Sequence, residues 1–248
     1  MTAAAGPQRY GCIAIVPAGG SGSRFGASTP KQYIEFAGAP VLDHTLRALR
    51  QCEAVEHVFV VVPAEEDRAD AIVTRADNAT VLRCAGAQRA DTVRNALAAV
   101  AKLVRRDAWV LVHDAARPCV GKADLDRLIA MLRDLFVVGL LAVPVSDTLK
   151  RADEAGGVAE TVSRERMWRA QTPQMFRFDT LVHALAASPD VTDEAQAIEA
   201  LKHLASHEAV VTVRVNNDPA LLADDLEAVV TAGLSAVVLP KVERADEL

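Results

Sequence analysis

The sequence predicts an α/β fold: a mostly parallel sheet with helices packed on both faces. Three observations carry that expectation. Short apolar runs at 12–16, 58–62, 109–112 and 137–143 are too continuous for half-exposed strands and suit strands covered on both sides. Stretches of helical periodicity separate them, as at 41–49 and 92–103. Polar loops follow the runs at Pro17, His113 and Pro144, and ligands of such sheets bind beyond the carboxyl ends of the strands. The 248 residues make one large domain or two small ones, and 51% apolar with 24% charged residues is globular composition. Aromatic residues are only 4%, which disfavours an all-β sandwich and a base-stacking surface. Lys and Arg number 27 against 33 Asp and Glu, so a net charge of −6 disfavours nucleic acid as a partner, yet a small basic pocket for a phosphorylated metabolite remains open.

In chain order, nine loose residues precede the strand at 12–16, which stops at Pro17. A Gly- and Ser-rich segment leads to a helix at 41–49, with Leu42, Leu46 and Leu49 on one side. The strand at 58–62 ends at Pro63, helical sequence follows at 65–75, and a shorter strand is expected at 80–84. Val93, Leu97, Val100 and Leu103 mark the helix at 92–103. The strand at 109–112 runs into HDAARP, and Asp124 is an early acid of a helix at 124–132. After the strand at 137–143 the rhythm breaks. Two short strands, 148–151 and 159–162, joined by a turn at Gly156 and Gly157, form a hairpin arm within 145–176 that packs on its own sheet or on a partner chain. Helices at 178–187 and 193–204 follow, the second with Thr192 as N-cap. The four cysteines form no close pair, so they read as thiols of a reducing compartment. No apolar run of membrane-spanning length and no signal-like leader occurs, which gives a soluble, cytoplasmic expectation with no membrane partner.

The chemistry-bearing residues fall after the strands. In 17–26 the glycines Gly19, Gly20 and Gly22 let backbone N–H groups approach an anion. The segment is neither a Walker loop nor a dinucleotide fingerprint, because no G-K-[ST] follows and Phe25 stands where the third glycine is needed. A plain flexible turn is the competing reading. Arg24 and Lys31 in the same stretch suit a triphosphate, Arg through a two-pronged contact and Lys as a compact charge. In HDAARP, Asp114 is an oxygen ligand suited to magnesium and Arg117 can grip a second anion. His113 is read as a structural hydrogen-bonding residue, since a phosphate oxygen needs no base to attack. Gly86 admits a base or ribose, while Arg89 and Thr92 either complete that contact or open the helix behind it. Thr148, Arg164, Thr172 and Thr192 are scattered loop candidates.

Together the strings PAGGSGSRFG, PKQY, VLVHDAARP, PVSDTLKR, TPQMF and TDEA resemble the 2-C-methyl-D-erythritol 4-phosphate cytidylyltransferases over about 14–200. The resemblance implies a Rossmann-like nucleotidyltransferase that moves CMP from CTP to a phosphorylated polyol and releases pyrophosphate. It implies catalytic roles for Arg24, Lys31 and Arg164, and CTP contacts from Ala18, Gly19, Gly20, Gly22, Gly86, Arg89, Thr92 and Ala115. Mg2+ would sit at Asp114. Arg117, Thr148, Thr172 and Thr192 would hold the acceptor, with Arg164 and Thr172 donated by the neighbouring subunit's arm in a homodimer. An acceptor such as ribitol 5-phosphate, or CTP binding without efficient turnover, are the rival functions.

The agreement changes near the end. That family carries a late lysine on the acceptor side, and aligning the D-D-L string puts Pro219 there, with Arg214 the nearest cation. From about Val210 the tail resembles a strand–helix–strand fragment of the citrate-lyase-beta-like family. The expected organisation is therefore a nucleotidyltransferase core, 1–209, and an atypical tail, 210–248, with strands at 210–215 and 236–239 around a helix at 221–231.

Overall fold

A computed structural model describes residues 9–20, 29–133, 138–188, 190–191, 194, 196–197, 212–214 and 236–240. In chain order its strands are β1 (Tyr10–Pro17), β2 (Glu35–Phe36), β3 (Ala39–Pro40), β4 (His57–Val61), β5 (Ala79–Leu82) and β6 (Val104–Val112), then β7 (Val138–Pro144), β8 (Leu149–Ala152), β9 (Val158–Val162), β10 (Trp168–Arg177), β11 (Thr212–Arg214) and β12 (Ala236–Pro240). The helices are α1 (Val41–Arg50), α2 (Arg68–Val73), α3 (Arg89–Val100), α4 (Lys122–Leu132) and α5 (Phe178–Ala187).

The main sheet runs β11-β12-β7-β10-β6-β1-β4-β5. Every pairing in it is parallel except those of β10, which lies antiparallel between β6 and β7. The apolar runs are apolar because both faces are covered: Ile13, Ala14, Ile15 and Val16 of β1 are all fully buried. Alternation sends Ala14 and Val16 to the side of α1, α2 and α4, and Ile13 and Ile15 to the side of α3 and α5. Burial of this kind contributes about 1.5–3 kcal/mol for each large aliphatic side chain, so the two cores hold the sheet rigid beneath its carboxyl-end loops.

Three elements differ from the sequence reading. The segment 145–176 is not all arm: only β8 and β9 form the hairpin, a separate two-stranded sheet with mostly exposed side chains, while β10 inserts into the main sheet. The second half of β10, through Met175 and Phe176, is buried, which is what anchors it there. Helix α3 begins at Arg89 rather than Thr92, with Gln88 as N-cap and its backbone N–H donating to Asp91 Oδ2 at 3.2 Å, so Thr92 is an interior residue and not a cap. Strand β6 starts at Val104, earlier than the apolar run.

The expected strand at 236–239 is present and pairs in parallel with β7, with β11 beyond it. The helix expected at 221–231 lies outside the described residues, and of that at 193–204 only Glu194, Gln196 and Ala197 are described, all helical.

Candidate functional site

The loops at the carboxyl ends of β1, β4, β5 and β6 converge on one rim. After β1, the Ala18 N–H donates to Val61 O at 2.8 Å, tying the glycine segment to the end of β4. The buried Gln32 side chain donates through Nε2 to Ala18 O at 2.8 Å and Gly20 O at 3.2 Å. A Cβ on Gly19 would stand 2.8 Å from Ala85 Cβ, so only glycine lets this loop pass so near the segment after β5. Gly20 has open space around it. Lys31 opens a single 3-10 turn, Lys31–Tyr33, in which Gln32 and Tyr33 are buried and Lys31 is exposed. The Arg68 guanidinium caps the Tyr33 ring at 4.5 Å, fixing the outer side of that turn. Gly22 and Arg24 lie outside the described residues.

At the next loop, the Gly86 N–H donates to Thr92 Oγ1 at 3.0 Å, and that hydroxyl donates to Gln88 O at 3.0 Å. Thr92 thus holds the loop against α3. A Cβ on Gly86 would come within 2.3 Å of Asp91 Cβ, which makes glycine obligatory. The first residue of α3, Arg89, points across the rim. Its Nε donates to Asp114 Oδ1 at 3.2 Å, and its Nη1 pairs with the fully buried Glu194.

Asp114 follows β6 and sits between two guanidiniums, since Arg117 Nε also donates to its Oδ2 at 2.7 Å. Burial alone would raise its pKa, but Arg89 and Arg117 outweigh that and hold the carboxyl below its ordinary range. For Arg89 burial likewise works against the charge, and Glu194 and Asp114 overcome it. His113, fully buried, lies with Nε2 3.0 Å from Arg117 O. A carbonyl only accepts, so Nε2 carries the proton and Nδ1 is the bare, buried nitrogen without a hydrogen-bond partner. Burial pushes the ring's pKa down to about 4, so His113 is a neutral strut under Arg117.

The buried Ala115 carbonyl accepts from Thr45 Oγ1 at 2.9 Å, which anchors the loop to α1. Arg117 Nη1 reaches Gln171 Oε1 at 2.5 Å. Thr172 Oγ1 accepts the Asp114 N–H at 3.2 Å. That contact ties β10 to this rim within the chain. Thr148 is exposed beside β8, and Arg164 stands at the foot of the hairpin, bonded to Ser146 O rather than to the Asp114 cluster. Thr192 lies outside the described residues.

The donor set fits a hard cation. Asp114 is ionised and partly exposed, and each oxygen keeps a second lone pair beyond its guanidinium. One carboxylate suffices for magnesium when phosphates and water complete its shell. Among the described residues no cluster of three or more His, Cys, Asp or Glu could hold a metal alone.

Sequence reasoning missed Gln32, Glu194 and Gln171. Each sits inside or next to a recognised string (PKQY, TDEA and TPQMF), and that placement is the signal that could have found them.

The chain is similar to a known family. The model of 2-C-methyl-D-erythritol 4-phosphate cytidylyltransferase (IspD) matches residues 12–229. The enzyme of that name from Dechloromonas aromatica is 52% identical over 198 residues, 79% of this chain and 85% of the relative. That from Chromobacterium violaceum is 50% identical over 191 residues, 76% and 84% of the two chains. A crystal structure of a 4-diphosphocytidyl-2C-methyl-D-erythritol synthase superposes with a TM-score of 0.71 at 33% identity, over 94% of this chain and 91% of that one. The Francisella tularensis enzyme gives 0.66 at 26%, over 95% of both. The family match continues past Val210 to residue 229, and the expected likeness of the tail to citrate-lyase-beta-like enzymes finds no support.

Proposed function

Because this chain belongs to the 2-C-methyl-D-erythritol 4-phosphate cytidylyltransferase family, we propose that it transfers CMP from CTP to 2-C-methyl-D-erythritol 4-phosphate. The products are 4-diphosphocytidyl-2-C-methyl-D-erythritol and pyrophosphate, a step of isoprenoid precursor synthesis. The observation that carries this reading is the rim where Arg89 and Arg117 both bond to the ionised Asp114.

An oxygen of the acceptor phosphate attacks the α-phosphorus of CTP; the bond from that phosphorus to the bridging oxygen breaks, and pyrophosphate leaves with its electron pair. The two anions repel each other, so the protein's work is alignment and charge neutralisation. The loop of Ala18, Gly19, Gly20 and Gly22 wraps the phosphates, and Arg24 and Lys31 meet the charge that grows on the leaving group. Gly86, Arg89 and Thr92 hold the cytidine side, with the Ala115 segment beside them. Arg117, Thr148, Thr172 and Thr192 hold the acceptor. Magnesium, held by Asp114, would offset phosphate charge when bound.

The exposed β8–β9 hairpin carries Val158 at 67% exposure and nearby Met167 at 42%, which supports its use as a dimerisation arm that delivers Arg164 to a second copy's site. Residues 1–209 would form the catalytic core and 210–248 a tail that extends its sheet. Among the described residues no helix is long and apolar enough to cross a membrane.

The test is pyrophosphate release with magnesium and CTP, comparing methylerythritol 4-phosphate, ribitol 5-phosphate and no acceptor. Release with methylerythritol 4-phosphate alone is expected. Equal or greater release with ribitol 5-phosphate would reassign the acceptor, and silence with all three would overturn the reading.

A further inference from the structure

One buried side chain links the turn that carries Lys31 to the glycine segment after β1. Gln32 is 3% exposed and follows Lys31 in that turn. Its Nε2 donates to Ala18 O at 2.8 Å and to Gly20 O at 3.2 Å, so both protons of the amide go to the glycine segment. Both partners are carbonyls, which only accept, so the nitrogen is the atom that faces them. The turn itself is fixed from two sides, by the Tyr33 N–H on Pro30 O at 2.9 Å and by Arg68 over the Tyr33 ring.

Packing alone does not ask for an amide here. A methionine of similar length would fill the space without desolvating a polar head. What the amide fixes is direction. The Ala18–Gly19 peptide is trans, and in a planar trans peptide the N–H points opposite to the C=O. Holding Ala18 O on Gln32 therefore turns the Gly19 N–H away from Gln32. The Ala18 N–H is already spent on Val61 O, whereas among the described residues nothing accepts the half-buried Gly19 N–H. Glycine offers little steric resistance to rotation of the peptide before it. Without Gln32 that peptide would be free to turn its carbonyl, rather than its N–H, toward an arriving anion.

We infer that Gln32 is a positioning residue: by gripping the two carbonyls it aims the Gly19 N–H at the nucleotide's phosphates, from the same turn that presents Lys31. The inference rests on the cytidylyltransferase reading and adds to it a residue that serves the phosphates without touching them.

Two measurements on the full chain test the assignment. In the first, the parent and Gln32→Met are titrated with CTP and with cytidine. The variant should bind CTP roughly tenfold more weakly, the share of one charge-assisted hydrogen bond. Cytidine should bind both chains equally, because it has no phosphate for the segment to meet. Equal losses for the two ligands would mark Gln32 as a packing residue only, and no loss for either in a folded variant would also overturn the assignment. The second measurement needs no variant, and decides the matter if a thermal melt shows Gln32→Met unfolded. In a nitrogen-labelled parent chain the Gly19 amide resonance should move when CTP is added and stay in place with cytidine. A Gly19 amide indifferent to CTP sinks the proposal. CTP affinity that depends on Gln32 in a parent that releases no pyrophosphate leaves this assignment standing and removes the transferase reading. Normal turnover with a CTP affinity unmoved by Gln32→Met does the reverse.

Discussion

Arg89 and Glu194 form an ion pair across 105 residues of sequence, in which Glu194 is fully buried and Arg89 also grips Asp114. The pair joins the start of α3 to the segment after α5 and points one guanidinium at the Asp114 loop. A buried pair contributes little net stability when whole, but breaking it strands a charge. We therefore expect Glu194→Ala to cost about 3–5 kcal/mol in denaturant unfolding. In any fraction that stays folded, CTP should bind more weakly, because Arg89 loses one of the two groups that hold it. A variant as stable as the parent would show that the pair is not formed in solution.

Gly86→Ala should be far more damaging than Gly20→Ala. At Gly86 the added carbon meets the Asp91 side chain and backbone at 2.3 and 3.0 Å, whereas Gly20 faces open space. Overpacking of this kind costs about 1–3 kcal/mol, and it would push the loop off Thr92. Calorimetric melting of the two variants gives the comparison, and equal Tm values would contradict the packing.

His113 makes stability depend on pH in a definite window. The unfolded ring takes a proton near its ordinary value of 6.5, but the buried ring does so only at about 4. Between these values the unfolded chain binds more protons, so stability is full above 6.5 and falls as the pH drops toward 4. The loss approaches about 3 kcal/mol if His113 acts alone. His57 is shifted in the same direction by burial, so the contribution of His113 is isolated by comparison with His113→Gln. That variant should show a shallower pH dependence between 6.5 and 4. An identical slope would mean that the ring is protonated in the native state.

Arg164→Ala should lower turnover severely while leaving the melt unchanged, since the residue is exposed and its recorded side-chain bond is to Ser146 O in its own chain. Mixing this variant with an inactive Lys31→Ala chain should restore part of the rate, because one site of a mixed dimer then carries both groups. Mixtures no more active than their components would place Arg164 in its own subunit's site.

Much of the fold was legible because burial on both faces writes itself into composition: β1, β4 and β7 are nearly unbroken apolar strings, and α1 shows its inner face at Leu42, Leu46 and Leu49. Strand β10 was not legible. Its first half is polar and partly exposed, and Pro173 interrupts it, so alternation and propensity both argued against a central strand. Its place is set by pairing with β6 and β7, which no local window contains. The same division runs through the site. Asp114 and Arg117 stand in the loop right after β6, and Lys31 in the stretch between β1 and β2, where charge is conspicuous. Glu194 reads as one more helix acid, and its role emerges only when the chain brings Arg89 to it.

The position of β10 also orders the assembly of the chain in time. Strands β6 and β7 follow one another in sequence yet never touch as neighbours; the gap between them is filled by residues made some thirty positions later. As the polypeptide emerges from the ribosome, β1, β4, β5 and β6 can pair at once, while β6 keeps an open edge until Gln174–Arg177 arrives. The nascent half-sheet is thus exposed to strand exchange with other chains during synthesis. Closing that edge also brings Thr172 against Asp114, so the rim becomes competent only when the most vulnerable edge of the sheet has been sealed.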